Sequence, residues 1–328
     1  MRAVRPLCDR CGHREAIHTV RASGENLCGE CLFQDVRSKV YSVLDRVLED
    51  GDKVAVALSG GKDSSLTLYM LKEYRENSRL NFELTAITVD EGTPYRRAAI
   101  EEASKLTAML GIEHRIVSMS DYHGVNVAEI RSALPAGWRR SACTYCGVLR
   151  RWVINRVARD MGATKVATGH NLDDVLQTHL MNLARGDVPA LARSGQAVRS
   201  PSPKMVPRIK PLALVREREV AALVLHLGIP ASFGKCPLTT GMRVGVRRAL
   251  DELEISSPGI KEGLVQGIEA IIARIRLSEG IKVELRECRL CGEPTTGELC
   301  KACQMKQELE PIVQRALLFG SVARDGSS

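Results

Sequence analysis

The chain has 328 residues, 44% of them hydrophobic and 4% aromatic, with a net charge of +8. That length predicts two or three domains with a packed core, and so few aromatics argue against base stacking as the main mode of nucleic-acid contact. The opening Met1-Arg-Ala-Val-Arg-Pro-Leu-Cys8 holds no apolar leader and no apolar run approaches a membrane span, so a soluble, cytoplasmic protein with no membrane partner is expected. In that compartment eleven cysteines argue for metals rather than disulfides.

Cys8-x2-Cys11 and Cys28-x2-Cys31 open the chain as two C-x-x-C turns, and Cys288-x2-Cys291 and Cys300-x2-Cys303 repeat the arrangement near its end. Each pair of turns offers four soft thiolates, which suits a closed tetrahedral site, so two structural Zn2+ ions are expected. His13 and His18 are alternative ligands that four cysteines make unnecessary. Neither end can build a core alone, so the metal supplies much of its folding free energy. The expected division is a zinc module over 1–33, a catalytic body over 34–285, and a second zinc module with a tail over 286–328.

Residues 34–49 read as an amphipathic helix. Val54 to Leu58 reads as a buried strand, followed by Ser59-Gly60-Gly61-Lys62-Asp63-Ser64 and a helix over 65–76. Strand, Gly-rich turn and helix make an anion site, because amide groups converge at a positive helix end and Lys62 adds a full charge. The spacing fails the G-x-x-x-x-G-K-[ST] loop and the G-x-G-x-x-G fingerprint. S-G-G-x-D-S instead resembles the PP-loop of N-type ATP pyrophosphatases, which cleave ATP between the α- and β-phosphates. A plain Gly-Gly turn between core elements is the structural alternative.

A second strand over 82–89 ends at Asp90-Glu91-Gly92, a helix covers 98–110, and a third strand covers 114–119. The alternation predicts an α/β fold with a doubly wound parallel sheet, Rossmann-like, whose ligands lie beyond the C-terminal strand ends. Asp90 sits at such an end and also suits a turn or a cap. Residues 120–142 look irregular. A helix then runs to Met161, apolar along Val148, Leu149, Trp152, Val153 and Val157. A fourth strand, Lys165 to Thr168, leads into Gly169-His170-Asn171-Leu172-Asp173-Asp174. Paired carboxylates at a helix start can cap it, sit with Mg2+ and phosphates, or act as acid or base. Residues 184–211 read as a flexible basic loop, and 209–214 as a further strand. Helices are expected over 216–227, 242–253, 260–277 and 311–323. Between Arg139 and Arg218 fifteen Lys and Arg face five Asp and Glu, so the positive charge is concentrated there, as on a polyanion surface.

Three cysteines remain: Cys143, Cys146 and Cys236. If they meet, they can hold a 4Fe–4S cluster by three irons and leave the fourth open to a substrate atom such as sulfur. A redox or persulfide-carrying dithiol, or three unrelated buried thiols, fits the count equally well.

Taken together, S-G-G-K-D-S, C-T-Y-C-G-V-L-R-R, G-H-N-L-D-D and a lone G-K-C-P, between terminal C-x-x-C pairs, resemble the TtuA/NcsA group of tRNA 2-thiouridine synthetases. The resemblance covers nearly the whole chain in order and spacing. Cys146-Gly-Val-Leu-Arg150-Arg151 and Leu183-Ala-Arg-Gly-Asp187 look more like the branch acting on wobble uridine 34 than the one acting on uridine 54. The resemblance implies that Cys143, Cys146 and Cys236 ligate a 4Fe–4S cluster. It implies that Ala57, Leu58, Ser59, Gly60, Gly61, Lys62, Asp63 and Ser64 bind ATP with Mg2+, joined by Val89, Asp90, Gly169, His170 and Asp174. Asp63, Arg150, Asp173 and Asp174 complete the catalytic set. Arg139, Arg140, Arg185, Arg193, Arg199, Lys204, Arg208 and Lys210 are the expected tRNA contacts. A ubiquitin-like thiocarboxylate protein or sulfide is the implied sulfur donor, and a homodimer the implied assembly. The expected chemistry is adenylation of a uridine O2, so that AMP becomes the leaving group, then sulfur attack at C2. Cluster-free persulfide chemistry, nitrogen transfer by a PP-loop enzyme, and a non-catalytic zinc-ribbon RNA binder are the competing readings.

Overall fold

A computed structural model describes residues 6–194, 197–198, 202–234, 236, 242–277 and 285–322. The chain opens on a small hairpin, β1 (His18–Thr19) against β2 (Asn26–Leu27). Cys28 then caps α1 (Gly29–Val47), its sulfur accepting the Cys31 N–H at 3.5 Å. The helix therefore starts five residues before Gln34, and the 33/34 division falls inside it. β3 (Lys53–Ala57), α2 (Lys62–Asn77), β4 (Glu83–Asp90), α3 (Pro94–Leu110) and β5 (Glu113–Ser118) alternate as the sequence pattern predicts.

Residues 120–142 are more ordered than expected. They hold α4 (Met119–His123) and α5 (Val127–Ala133). A capping box fixes α5: the Asn126 side chain accepts the Glu129 N–H at 2.9 Å, and Glu129 accepts the Asn126 N–H at 2.8 Å. α6 (Ala142–Asp160), β6 (Lys165–Thr168) and α7 (Leu172–Ala184) follow. The described part of 184–211 is likewise not a plain loop. It forms α8 (Val188–Ala192) and an antiparallel pair, β7 (Ala197–Val198) with β8 (Arg208–Ile209). The strand expected over 209–214 ends at Ile209, because Pro211 has no N–H to give a ladder. α9 (Glu217–His226), α10 (Met242–Ser256) and α11 (Ile260–Leu277) complete the body. A second hairpin, β9 (Arg286–Glu287) with β10 (Pro294–Thr295), precedes α12 (Lys301–Val322). That helix begins ten residues before the expected Pro311, straight out of the Cys300 turn.

The central sheet runs in the order β5-β4-β3-β6-β8-β7, parallel except for β7. Alternation along β3 faces Val54 and Val56 into one core and Ala55 into another. The first core takes in α1, α2, α3 and α9 and includes Leu27, Cys28 and Leu32 of the N-terminal module. The second takes in α5 and α6 and includes Cys288, Cys300, Ala302, Cys303, Met305 and Leu309 of the C-terminal module. Each zinc-ribbon-like end is thus built into one face of the body. The strand order reverses direction at β3, so the crevice between the ends of β3 and β6 is where a ligand is expected in such a sheet. Among the described residues no helix is long and apolar enough to cross a membrane.

Candidate active site

Residues 58–64 join β3 to α2 at that crevice. Gly60 has φ +74°, and a Cβ there would sit 1.8 Å from the Ala99 carbonyl oxygen, so only glycine fits. Ser64 ties the loop to itself: its hydroxyl accepts the Ser59 N–H at 3.0 Å and donates to the Gly61 carbonyl at 3.0 Å. Gly61 caps α2 without any side-chain bond, which leaves the helix start open to an anion. Lys62 lies 2.7 Å from Asp63 and 3.1 Å from Glu217. Burial alone would lower its pKa, but Asp63 and Glu217 hold it above the ordinary lysine value, so it stays charged.

The β6–α7 turn packs against the same loop. A Cβ on Gly169 would fall 2.6 Å from the Ser64 nitrogen. Asn171 bridges the two segments, donating to Asp63 Oδ1 at 2.8 Å and accepting the Asp174 N–H at 3.0 Å. Asp174 faces the pocket. Burial pushes its pKa up to about 6, Arg243 opposes the shift, and Asp63 and Glu217 add to it. Asp173 points elsewhere. It accepts Lys261 Nζ at 2.6 Å and the Glu217 N–H at 2.9 Å, which fastens α7 to α9 and α11. The pairing expected of the two aspartates is thereby divided: Asp174 lines the crevice and Asp173 anchors the fold. Val89 is buried at the end of β4, and Asp90 accepts the Gly92 N–H at 2.8 Å, a turn bond.

Two unforeseen residues join this loop to the cysteine helix. Glu91, 1% exposed, has one oxygen 2.7 Å from Arg96 and the other 2.7 Å from Arg150. Arg96 also donates to the Ser59 carbonyl at 2.6 Å. The path Ser59–Arg96–Glu91–Arg150 therefore runs from the phosphate loop to α6, which carries Cys143 and Cys146 near its start.

Cys236 reaches the same place by another route. After α9 the chain crosses the phosphate loop, where the Ser232 N–H donates to the Gly60 carbonyl at 2.7 Å. Cys236 then comes close enough to Tyr95, at the start of α3, to add to the effect of burial in holding that phenol above its ordinary pKa. Burial pushes the Cys146 thiol up to about 11; Arg150 opposes this, while Glu91, Cys143 and Cys236 add to it. The three thiols are thus neighbours, yet among the described residues only the two quartets have all their sulfurs within 4.8 Å of one another. A wide three-thiol set fits a cluster, which carries its own sulfides between the ligands, better than it fits a single ion.

The quartets Cys8, Cys11, Cys28, Cys31 and Cys288, Cys291, Cys300, Cys303 have the other geometry. Cys11 and Cys28 sulfurs lie 3.8 Å apart, and Cys291 and Cys300 sulfurs 3.6 Å apart. Metal–sulfur bonds of about 2.3 Å make a tetrahedron with edges of about 3.8 Å. Burial tends to raise Cys8, but N–H groups of Cys28, Cys11 and Arg10 bring it down to about 6. Burial, then its sulfur neighbours, hold Cys31 up at about 12. Such a split set is relieved when one divalent ion takes all four sulfurs as thiolates. His13 is exposed, 2.6 Å from the Cys11 carbonyl, and belongs to neither quartet.

Of the expected tRNA contacts, Arg139 and Arg140 both pair with Glu308 of α12, and Lys204 pairs with Glu287 at 2.8 Å. Arg185 and Arg193 are exposed at the ends of α7 and α8. Arg208 and Lys210 flank the β8 end, and Arg199 lies outside the described residues.

Residues 32–229 match the model of the PP-loop domain. The tRNA 2-thiolation protein NcsA of Haloferax volcanii is 34% identical, with 93% of this chain and 99% of that one covered. The chain belongs to the PP-loop family of tRNA 2-thiolation proteins. The tRNA-5-methyluridine(54) 2-sulfurtransferase of Pyrococcus horikoshii is 31% identical over 92% of this chain and 95% of its own. Among solved structures, the U34-tRNA thiolase NcsA of Methanococcus maripaludis, with its [4Fe-4S] cluster, superposes with a TM-score of 0.77. It is 36% identical, and the match covers 94% of this chain and 97% of that one. Family membership fixes the phosphate loop as an ATP loop and the reaction class as ATP-dependent sulfur transfer to tRNA.

Proposed function

We propose that this protein converts a tRNA uridine, most consistently wobble uridine 34, to 2-thiouridine, with Cys143, Cys146 and Cys236 holding a 4Fe–4S cluster. The observation that carries the reading is the convergence of these three cysteines, from α6 and the segment after α9, beside the phosphate loop. ATP enters with its phosphates at the open start of α2. The loop amides and Lys62 hold the pyrophosphate, and Mg2+ on the triphosphate offsets the facing Asp63, Asp174 and Glu217. Ala57, Leu58, Val89, Asp90, Gly169 and His170 frame the nucleotide at the strand ends. Adenylation at O2 turns a poor leaving group into AMP. Arg150, oriented by Glu91, then stands between the two halves of the site and stabilises negative charge developing on the α-phosphate. A cluster on three cysteines supplies one iron with a free position at which sulfur can be presented. The two cysteine modules, the first running into α1, brace the catalytic body between them. The sulfur arrives from a ubiquitin-like thiocarboxylate protein or as sulfide, and the working form is a cytoplasmic homodimer.

Protein purified without oxygen tests this reading. It is expected to show the absorbance and EPR signals of a 4Fe–4S cluster and, with tRNA, ATP and sulfide, to release AMP and leave 2-thiouridine at position 34 by nucleoside mass spectrometry. Iron-free protein that thiolates equally well overturns the cluster, and thiolation mapped to position 54 overturns the choice of nucleotide.

A further inference from the structure

A second charged site adjoins the phosphate loop. His170, in the turn after β6, is exposed. Four cations lie around it on three segments: Arg151 on α6, Arg208 on β8 with Lys210 just beyond it, and Arg243 on α10. Their placement is held by polar contacts. Arg208 donates to the Arg151 carbonyl at 3.4 Å, and Lys210 to the Ser194 carbonyl at 2.6 Å. Arg243 reaches Gln177 and Thr178 at 3.2 Å and Asp174 at 3.5 Å. His170 itself is 2.8 Å from the Thr168 hydroxyl.

The negative charge nearby is small. Asp174 faces Arg243, and Glu269 and Asp174 act on Lys210. Among the described residues Arg151 and Arg208 take part in no ion pair. Burial pushes His170 down to about 3, Lys210 to about 8 and Arg208 to about 10; neighbouring cations add to each shift, while Glu269 and Asp174 oppose it at Lys210. Like charges held together in this way are relieved by a bound anion, not by each other.

We propose that this cluster, Arg151, Arg208, Lys210 and Arg243 around His170, seats backbone phosphates of the RNA next to the nucleotide being modified. The proposal rests on the reading of the chain as a tRNA-thiolating enzyme. ATP phosphates already have the α2 start and Lys62 beside Asp63 and Glu217, and His170 stands where the nucleotide and the cation cluster meet, as does Asp174, which pairs with Arg243. The cluster adjoins the cysteine helix, since Arg151 follows Arg150 on α6 and Arg150 acts electrostatically on Cys146. Arginines from separate segments also hold a chain in register, which is what phosphate contacts contribute to nucleic-acid recognition.

Salt-dependent binding of unmodified tRNA to the full, zinc-loaded chain tests it. Arg151→Gln and Arg208→Gln are each expected to weaken binding about five-fold at about 0.15 M salt and to make the slope of log K against log salt shallower by about one. Arg151→Lys and Arg208→Lys are expected to restore most of both. ATP affinity is expected to stay within about two-fold. Arg151 is exposed and makes no ion pair among the described residues, so its change does not threaten the fold. Unchanged tRNA affinity and slope in the Gln variants, with wild type binding tightly, overturn the proposed phosphate site and leave the enzymatic reading standing. A fall in ATP affinity instead assigns the cations to the nucleotide. Failure of the wild type to bind any tRNA overturns the enzymatic reading itself.

Discussion

Cys11 and Cys28 have their sulfurs 3.8 Å apart inside a turn-and-hairpin unit of two dozen residues, whereas Cys143, Cys146 and Cys236 come from two segments ninety residues apart and, among the described residues, do not bring all three sulfurs within 4.8 Å of one another. The quartets are local. Two C-x-x-C turns supply sulfurs and N–H donors together, and the four ligands close on a metal with no position left over. The trio is assembled by tertiary structure. α6 brings two thiols, and the third comes on a segment that must first pair with Gly60 of the phosphate loop. A closed local set stabilises a fold; an open set beside an ATP loop serves chemistry. The same substitution, cysteine to alanine, should then have opposite consequences in the two places.

Cys236→Ala is expected to reduce thiolation to background, more than about a thousand-fold, because a cluster with two protein ligands is not held. Its thermal midpoint and ATP affinity should match wild type, since Cys236 lies outside the cores. A lowered midpoint would mean that the trio is structural and would erase the contrast. Cys28→Ala should do the reverse. Cys28 is buried beside Leu27 and Leu32 in the main core, and the helix it caps packs on α9. Loss of the metal and of that cap should cost at least about 3 kcal/mol and lower the midpoint by about 6 °C or more. Calorimetry of zinc-loaded and chelated protein checks it. An unchanged midpoint would remove the quartet from the fold's support.

Glu91 sharpens the comparison from between the two sites. Glu91→Gln keeps the shape but removes the charge that orients Arg96 and Arg150. Single-turnover thiolation should slow about ten-fold with the KM for ATP unchanged, because the loop's own serine bonds persist while Arg150 is released. A rise in KM with an unchanged rate would place Glu91 in support of the loop alone.

How far these features could be read from the chain follows the same local-versus-assembled line. The quartets, the phosphate loop and β6 are contiguous motifs whose spacing states their geometry. Gly60 and Asp63 need only the turn in which they lie. Asn171 was visible inside Gly169-to-Asp174, but its bridge to Asp63 was not, because the bridge needs β3 beside β6. Glu91 had a signal in its turn at a strand end. Glu217 and Arg243 had none: each is an ordinary charged residue on a helix that tertiary packing brings to the loop. The β7–β8 pair was obscured by basic and proline-rich composition that reads as loop. Pro311 reads as a helix beginning although it lies inside α12, which hides the first ten residues of that helix from the sequence pattern. Asp173 and Asp174 look equivalent in sequence, and only the presence of Lys261 beside one of them separates an anchor from a pocket residue.

That separation gives the smallest expected effect. Asp174 is held partly out of water near Asp63 and Glu217, with a folded-state pKa of about 6, raised from 3.8. A raised carboxylate favours the fold when protonated. Its contribution is present below pH about 4 and is lost as pH rises through about 6. Asp174→Asn removes the charge, so ATP-free variant protein should melt a few degrees above wild type at neutral pH. The gap should close as pH falls from about 7 to about 4. Asp173 behaves in the opposite sense, held below its ordinary value by the Glu217 N–H and Lys261 against the pull of burial. Asp173→Asn should therefore lower the midpoint at neutral pH, with the loss fading only as the solution becomes acidic enough to protonate the wild-type carboxylate. Parallel pH series of melting curves for the two variants decide the matter, and shifts of the same sign at pH 7 would show that the adjacent aspartates share one role.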